Sequence, residues 1–225
     1  MNIAGKFIVV DGPDGAGKGT QIQRLGEWIT AQGGHCTRAR DPGGTEISER
    51  IRHVLLGYDL STMDSRCEAL LFMASRAQLV AEVVRPALKK GHTVLCDRFI
   101  SATCAYQGAI GVPQDEILAL GRLAVDDTWP HLTIVLDVPP DVGFARTNRK
   151  RGGAKTPRHA GQLAIFDGAN TDAMERRPLK FHRQARKLFQ ALPGTYPGPV
   201  VLVDADREVE AVWEDVRRAV ERAFQ

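Results

Sequence analysis

Short apolar runs and amphipathic stretches take turns along almost the whole chain. β-rich runs occupy residues 6–11, 35–40, 93–97, 132–138 and 200–204. Between them, apolar residues recur at helical spacing near 17–32, 48–56, 65–90, 114–125, 141–150, 172–192 and 209–224. Near-continuous apolar strands separated by helices predict an α/β fold, a five-stranded parallel sheet with helices on both faces. In such sheets ligands collect beyond the carboxyl ends of the strands. Three strands end in suitable residues there: Asp11, the pair Arg40-Asp41, and the pair Asp97-Arg98. No internal repeat is visible. A stretch rich in Gly, Ala, Thr and Pro at 151–171 breaks the helical pattern and reads as a flap rather than a domain boundary. The chain is therefore expected to be one domain, 1–225, with a lid at about 149–171.

Composition narrows the class. At 225 residues the chain is within reach of one α/β domain with a sizeable core. A net charge of +3 is too small to argue for nucleic-acid wrapping. Cys36, Cys67, Cys96 and Cys104 form no C-x-x-C pair, which favours buried thiols at Cys36 and Cys96 over a disulfide frame or zinc site. No apolar stretch reaches the ~20 residues a bilayer requires, and residues 1–6 carry no signal-peptide core. A soluble, cytoplasmic protein is the expectation.

The strongest chemistry lies in Asp11-Gly12-Pro13-Asp14-Gly15-Ala16-Gly17-Lys18-Gly19-Thr20, between the first strand and the first helix. That is the context of a phosphate-binding loop. Glycines let successive N–H groups point inward, the helix N-terminus adds partial positive charge, and Lys18 can reach the outer phosphates. Gly19 stands where a hydroxyl residue is usual, and Thr20 follows it. The expectation is a nucleoside triphosphate site using Gly12, Pro13, Asp14, Gly15, Ala16, Gly17, Lys18, Gly19 and Thr20.

Three further segments surround that loop. In Arg40-Asp41-Pro42-Gly43-Gly44-Thr45, Pro42 stiffens the strand exit and paired glycines admit a ligand closely. In Asp97-Arg98-Phe99, a carboxylate at a strand end is placed to hold magnesium, and a guanidinium can grip phosphate oxygens. Each of these taken singly also reads as a turn or a surface ion pair. Phe72 and Arg76 lie four apart on one helical face and could stack on and hydrogen-bond a base. Without other context they read as a core residue and a surface one.

Together with Ala105-Tyr106-Gln107-Gly108, Leu136-Asp137-Val138-Pro139-Pro140 and Val201-Leu202-Val203-Asp204-Ala205, these segments resemble thymidylate kinases in order and spacing. The resemblance covers nearly the whole chain and implies the P-loop nucleoside monophosphate kinase fold. It implies magnesium-dependent transfer of the γ-phosphoryl group of ATP to dTMP, giving dTDP and ADP for dTTP synthesis, by a homodimer. No nucleic acid or membrane partner is implied.

The resemblance also assigns roles. Lys18 and the loop amides would hold the ATP phosphates, and Arg98 would bridge donor and acceptor phosphates. Asp14 would lie near acceptor and metal, through the ion or the sugar hydroxyl, with Asp97 the other metal residue. Arg40 and Asp41 belong to the acceptor side, Arg40 as phosphate anchor. Phe72 would stack on thymine, Arg76 and Gln107 would read its polar edge, and Tyr106 would close over the sugar. Some family members carry a catalytic arginine inside the loop, where this chain has Gly15. Arg151, with Arg149 as second choice, is the expected substitute, backed by Lys155 and Arg158. Ala102 and Met73 depart from the serine and tyrosine that are common in the family. A kinase of dUMP or a 5-substituted dUMP, or less closely a deoxynucleoside kinase, is the alternative. Adenylate kinase would need a D-G-F-P-R segment and a GTPase an N-K-x-D; neither is present. A non-catalytic nucleotide-binding module would lack the acceptor-side pair Arg40 and Arg98.

Overall fold

The computed structural model describes residues 3–57, 60–153, 173, 174 and 176–225, and the side chains of 61 and 148–153 fall outside that description. All five expected strands form: β1 (Phe7–Asp11), β2 (Cys36–Arg40), β3 (Thr93–Asp97), β4 (Leu132–Asp137) and β5 (Val200–Asp204). They make one parallel sheet in the order β2-β3-β1-β4-β5. The helices are α1 (Lys18–Ala31), α2 (Glu46–Gly57), α3 (Ser65–Leu79), α4 (Arg85–Lys89), α5 (Ile100–Ala109), α6 (Gln114–Val125), α7 (Pro140–Gly153), α8 (Leu179–Ala191) and α9 (Val209–Ala223).

Alternation along the central strand divides the interior. Phe7 and Val9 join a cluster with Leu79 of α3, Ile100 and Tyr106 of α5, Ile117 of α6 and Phe189 of α8. Ile8 and Val10 point the other way, onto Leu25 and Ile29 of α1 and Val216 and Val220 of α9. Each fully buried side chain of this kind is worth ~1.5–3 kcal/mol, so both faces of the sheet are covered. Only the edge strands β2 and β5 are half-exposed. Cys36 of β2 is accordingly only half-buried, against the expectation, whereas Cys96 and Cys104 are buried and Cys67 is exposed.

Three elements differ from the periodicity. α5 has no counterpart among the expected helices: Ile100 through Gln107 are all buried, so no polar face marks the period. The expected helix at 65–90 is a rod interrupted by a π turn at Val80–Val84, with Pro86 just beyond it. The expected helix from 172 begins instead at Leu179, after Pro178, because proline disfavours a helical conformation in the residue before it. Bidentate bonds from Arg186 Nε and Nη2 to the two oxygens of Asp137, at 2.7 and 2.9 Å, clamp α8 to the end of β4.

Strand register levels the carboxyl ends. Val10 of β1 and Arg40 of β2 both stand opposite Asp97 of β3. The Asp41 N–H donates to Asp97 O at 3.0 Å, and the Arg98 N–H to Val10 O at 3.1 Å. The residues following three strands therefore meet in one crevice. Among the described residues, no helix is long and apolar enough to cross a membrane.

Candidate active site

The glycine loop leaves β1 and turns into α1 at Gly17, whose φ of 92° is open to glycine but strained for other residues. Gly15 is constrained twice over, with φ at +76° and a Cβ that would come within 2.2 Å of the Gly143 carbonyl oxygen. The loop thus rests directly on the backbone at the start of α7. Gly15→Ala is expected to shift the loop off α7, lowering ATP affinity at least tenfold and stability by ~1–3 kcal/mol, read by calorimetric titration and urea unfolding. An arginine could not occupy this position in the present backbone, so any transition-state arginine must come from elsewhere.

Lys18 folds back over its own loop, donating from Nζ to the carbonyls of Gly12 at 3.1 Å and Pro13 at 2.9 Å. Burial, then the neighbouring Arg98, draws its ammonium below the ordinary value, against the pull of Asp14, Asp97 and Asp11. Beside it opens a cleft of about 580 Å³ lined by Gly15, Ala16, Gly17, Lys18, Gly19, Thr20 and Asp97. Its far wall is Arg146, Thr147, Ala205, Arg207 and Val209. Arg146 Nη1 donates to Ala205 O at 2.8 Å, joining α7 to the end of β5. Sequence reasoning missed this wall, although Leu136-Asp137 and Asp204-Ala205 marked the strand ends that carry it. Gly12, Pro13 and Asp14 do not line the cleft; the first two serve Lys18 from behind.

Arg98 stands between the two halves of the crevice. Its φ is 67°, a left-handed conformation that costs a non-glycine residue ~1–3 kcal/mol. Nη1 donates to Gly12 O at 3.0 Å and Asp11 Oδ1 at 3.3 Å, while Nη2 donates to Asp14 Oδ1 at 2.5 Å. The guanidinium lies over the Tyr106 ring, 5.1 Å from its centre. Ser101 Oγ donates to the other oxygen of Asp11 at 2.6 Å, fixing the carboxylate that holds Arg98. Burial would raise the Asp14 carboxyl, but Arg98 and Lys18 outweigh it and hold it below the usual range.

Beyond Arg98 is a second cavity of about 80 Å³, lined among others by Asp14, Asp41, Arg52, Phe72, Arg76, Ala102, Tyr106, Gln107 and Met174. Phe72 is at its wall, as expected from the helical face. Arg76 is not the surface residue its spacing alone suggested: it is 1% exposed. Its Nε donates to Asp41 Oδ2 at 2.5 Å, and its Nη2 to Phe99 O and Thr103 Oγ1 at 3.0 and 3.1 Å. Met73, one of the departures from the family pattern, accepts from Arg76 Nη1 at 2.9 Å. The other departure, Ala102, lies in the cavity wall. Asp41 Oδ1 is buried without a hydrogen-bond partner, and burial raises the Asp41 carboxyl despite Arg76.

Arg40 is not brought to this cavity. Its side chain is half-exposed and pairs with Glu49 at 2.8 Å. The arginine that lines the wall is Arg52 of α2, donating from Nη2 to Pro42 O at 2.8 Å. No motif marked it; its position two turns into the helix after the paired glycines was the available signal. The first residues of the expected lid, 149–153, continue α7; residues 154–171, with Lys155 and Arg158, and the side chains of Arg149 and Arg151 lie outside the described residues. A larger hollow of about 790 Å³ runs between α5 and α8 past Ile110, Arg177, Phe181 and Lys187, away from the glycine loop.

A glycine-loop cleft facing a second, cation-lined cavity is a two-substrate arrangement, and comparison with known proteins agrees. The family model described as "Thymidylate kinase" matches residues 10–216. A thymidylate kinase of Bacillus velezensis is 36% identical over 224 residues, 99% of this chain and 98% of the relative. That of an Exiguobacterium species is 40% identical over 215 residues, covering 95% of this chain and 93% of the relative. The Anoxybacillus flavithermus protein of the same name is 39% identical over 216 residues, 96% of each. With both the match and the crevice spanning the chain, from the glycine loop of β1 to the end of β5, the protein belongs to the thymidylate kinase family.

Proposed function

We propose that the protein transfers the γ-phosphoryl group of ATP to dTMP, giving dTDP and ADP. The observation that carries this reading is Arg98, a single guanidinium touching the glycine-loop carbonyl on one side and Asp14 of the acceptor cavity on the other. Phosphoryl transfer asks little covalent chemistry of the protein; it asks that two anions be held in line and their charge neutralised. ATP would lie along the glycine loop with its base toward Arg146, Arg207 and Val209. Lys18, released from the Gly12 and Pro13 carbonyls, would turn to the outer phosphates.

The acceptor would take the cavity beyond Arg98. Phe72 offers a ring face, Arg76 and Gln107 offer donors and acceptors to the base edge, and Asp41 keeps one buried acceptor oxygen without a partner. Tyr106 and Asp14 would face the sugar. Arg52, rather than Arg40, is the better-placed guanidinium for the acceptor phosphate. Ligand sites commonly exceed ~300 Å³, so the acceptor's arrival requires the lining side chains to move apart.

Magnesium fits the donor cleft. Asp97 presents a buried Oδ1 without a partner beside Lys18 and Thr20. No cluster of three or more His, Cys, Asp or Glu side chains suited to a metal occurs among the described residues. One carboxylate with waters and substrate phosphates is how magnesium is commonly held. Asp97, with the Thr20 hydroxyl nearby, would hold the ion, which would neutralise charge on the transferring group. Asp14, engaged by Arg98 across the acceptor cavity, is better placed toward the acceptor than the metal.

A homodimer is consistent with exposed Ile47 and Val54 on α2, Leu70 on α3 and Leu123 on α6, three helices in mutual contact through α3. A cytoplasmic location follows from the same reading. The deciding experiment is a coupled ADP-release assay with ATP and magnesium against dTMP, dUMP, dCMP, AMP and thymidine. Turnover is expected to be fastest with dTMP, with dUMP second; preference for AMP or for thymidine would refute the assignment.

A further inference from the structure

Glu68 is the one acidic side chain of α3 that is completely buried. It stands one helical turn before Phe72 and two before Arg76, on the face directed at the acceptor cavity. Its Oε1 accepts from Gln107 Nε2 at 2.8 Å and its Oε2 from Arg177 Nη2 at 2.6 Å. Nothing in the motifs pointed to it, and the proposed mechanism does not use it.

A carboxylate with both oxygens occupied can only accept hydrogen bonds. Turning the Gln107 amide round would set oxygen against oxygen in a buried site, where an unmet polar contact is costly. Glu68 therefore decides which end of the Gln107 side chain remains for the cavity that Gln107 lines. We infer that Glu68 is a positioning residue for base selection: it commits the amide nitrogen of Gln107 and leaves the amide oxygen to accept from an imide N3–H. Thymine and uracil carry that hydrogen; cytosine has a bare acceptor nitrogen at N3 and would meet the amide oxygen lone pair to lone pair. The buried pair is thus a filter for keto pyrimidines over amino pyrimidines. The inference rests on the reading of the cavity as the dTMP site.

The test compares kcat/KM for dTMP, dUMP and dCMP in the wild type, Glu68→Gln, Gln107→Ala and the double variant, with dCMP inhibition constants where its turnover is too slow. In Glu68→Gln the Gln107 amide is free to present either end. The dTMP-to-dCMP ratio is expected to fall about tenfold, the scale of one hydrogen bond, chiefly through a higher KM for dTMP, with dUMP following dTMP. In the Gln107→Ala background the same substitution is expected to leave the ratio unchanged, because Glu68 acts through that amide. A purely structural ion pair with Arg177 would lower stability equally in both backgrounds and spare the ratio. Should Glu68→Gln fail to fold, Glu68→Asp keeps the charge for Arg177 but falls one methylene short of Gln107, and the same fall is expected. An unchanged ratio, or an equal fall without Gln107, overturns the role of Glu68. A wild type that does not phosphorylate dTMP overturns the proposed function, and this inference with it.

Discussion

Arg98→Ala is expected to lower kcat by ~10³ or more while the protein stays folded, the scale seen when a phosphoryl-transfer arginine is removed. A factor of 10³ corresponds to about 4 kcal/mol of lost transition-state stabilisation. The geometry supports an effect on turnover rather than on binding of one substrate. The guanidinium is 18% exposed and touches the Gly12 carbonyl and Asp14 at once, so it is poised where charge would pass from donor to acceptor. Folding should survive because Asp11 keeps the Ser101 hydroxyl and the Gly12 N–H, the latter at 2.8 Å. Arg98→Lys restores the charge but not the fork that reaches two partners, and should recover only part of the rate. Single-turnover kinetics with saturating ATP and dTMP separate the cases. Turnover within tenfold of wild type, with only KM altered, would remove Arg98 from the chemistry.

The second large effect falls on stability. Arg76→Met is expected to cost ~3–5 kcal/mol in urea unfolding, the penalty for stranding one member of a buried ion pair. Both side chains are inaccessible, at 1% and 0%, and Asp41 already has one oxygen without a partner. Methionine matches the length of the arginine stem beside Met73, so cavity formation contributes little. The pH dependence has a definite sign. Burial holds the Asp41 carboxyl above its ordinary value of 3.8 even with Arg76 present. An acid raised in the folded state stabilises fully below its unfolded value, and that stability is lost as pH rises through the folded value. Without Arg76 the folded value rises further, so the deficit of the variant should be smaller at pH 5 than at pH 8. A deficit independent of pH would show that Asp41 does not carry the loss. Acceptor turnover should fall alongside, because Arg76 also braces the Phe99 carbonyl and Thr103 at the cavity wall.

What could be read from residues alone was what local periodicity and local chemistry encode. The five strands are apolar runs, and the cleft follows from a glycine loop placed between a strand and a helix. Helix α5 escaped because burial on every side erases the polar face by which a helix announces itself. Arg40 and Arg52 show the same limit at the site. Adjacent to the Asp41-Pro42-Gly43-Gly44 turn, Arg40 looked like the anchor, but the edge position of β2 leaves it half-exposed and paired with Glu49. Arg52, ten residues after Pro42, returns to its carbonyl because α2 folds back over the crevice.

The chain by itself determined the phosphate loop, the alternation that builds the parallel sheet, and the family, since these depend on contiguous residues whose spacing matches a strand, a turn or a helix. The tertiary structure alone decided which charges are spent on one another: Arg76 on Asp41, Glu68 on Gln107 and Arg177, Arg98 on Asp11 and Asp14. These partners lie 35 to 109 residues apart. Their meeting depends on strand register and helix docking, and burial then sets whether a charge is a surface ornament or part of the site.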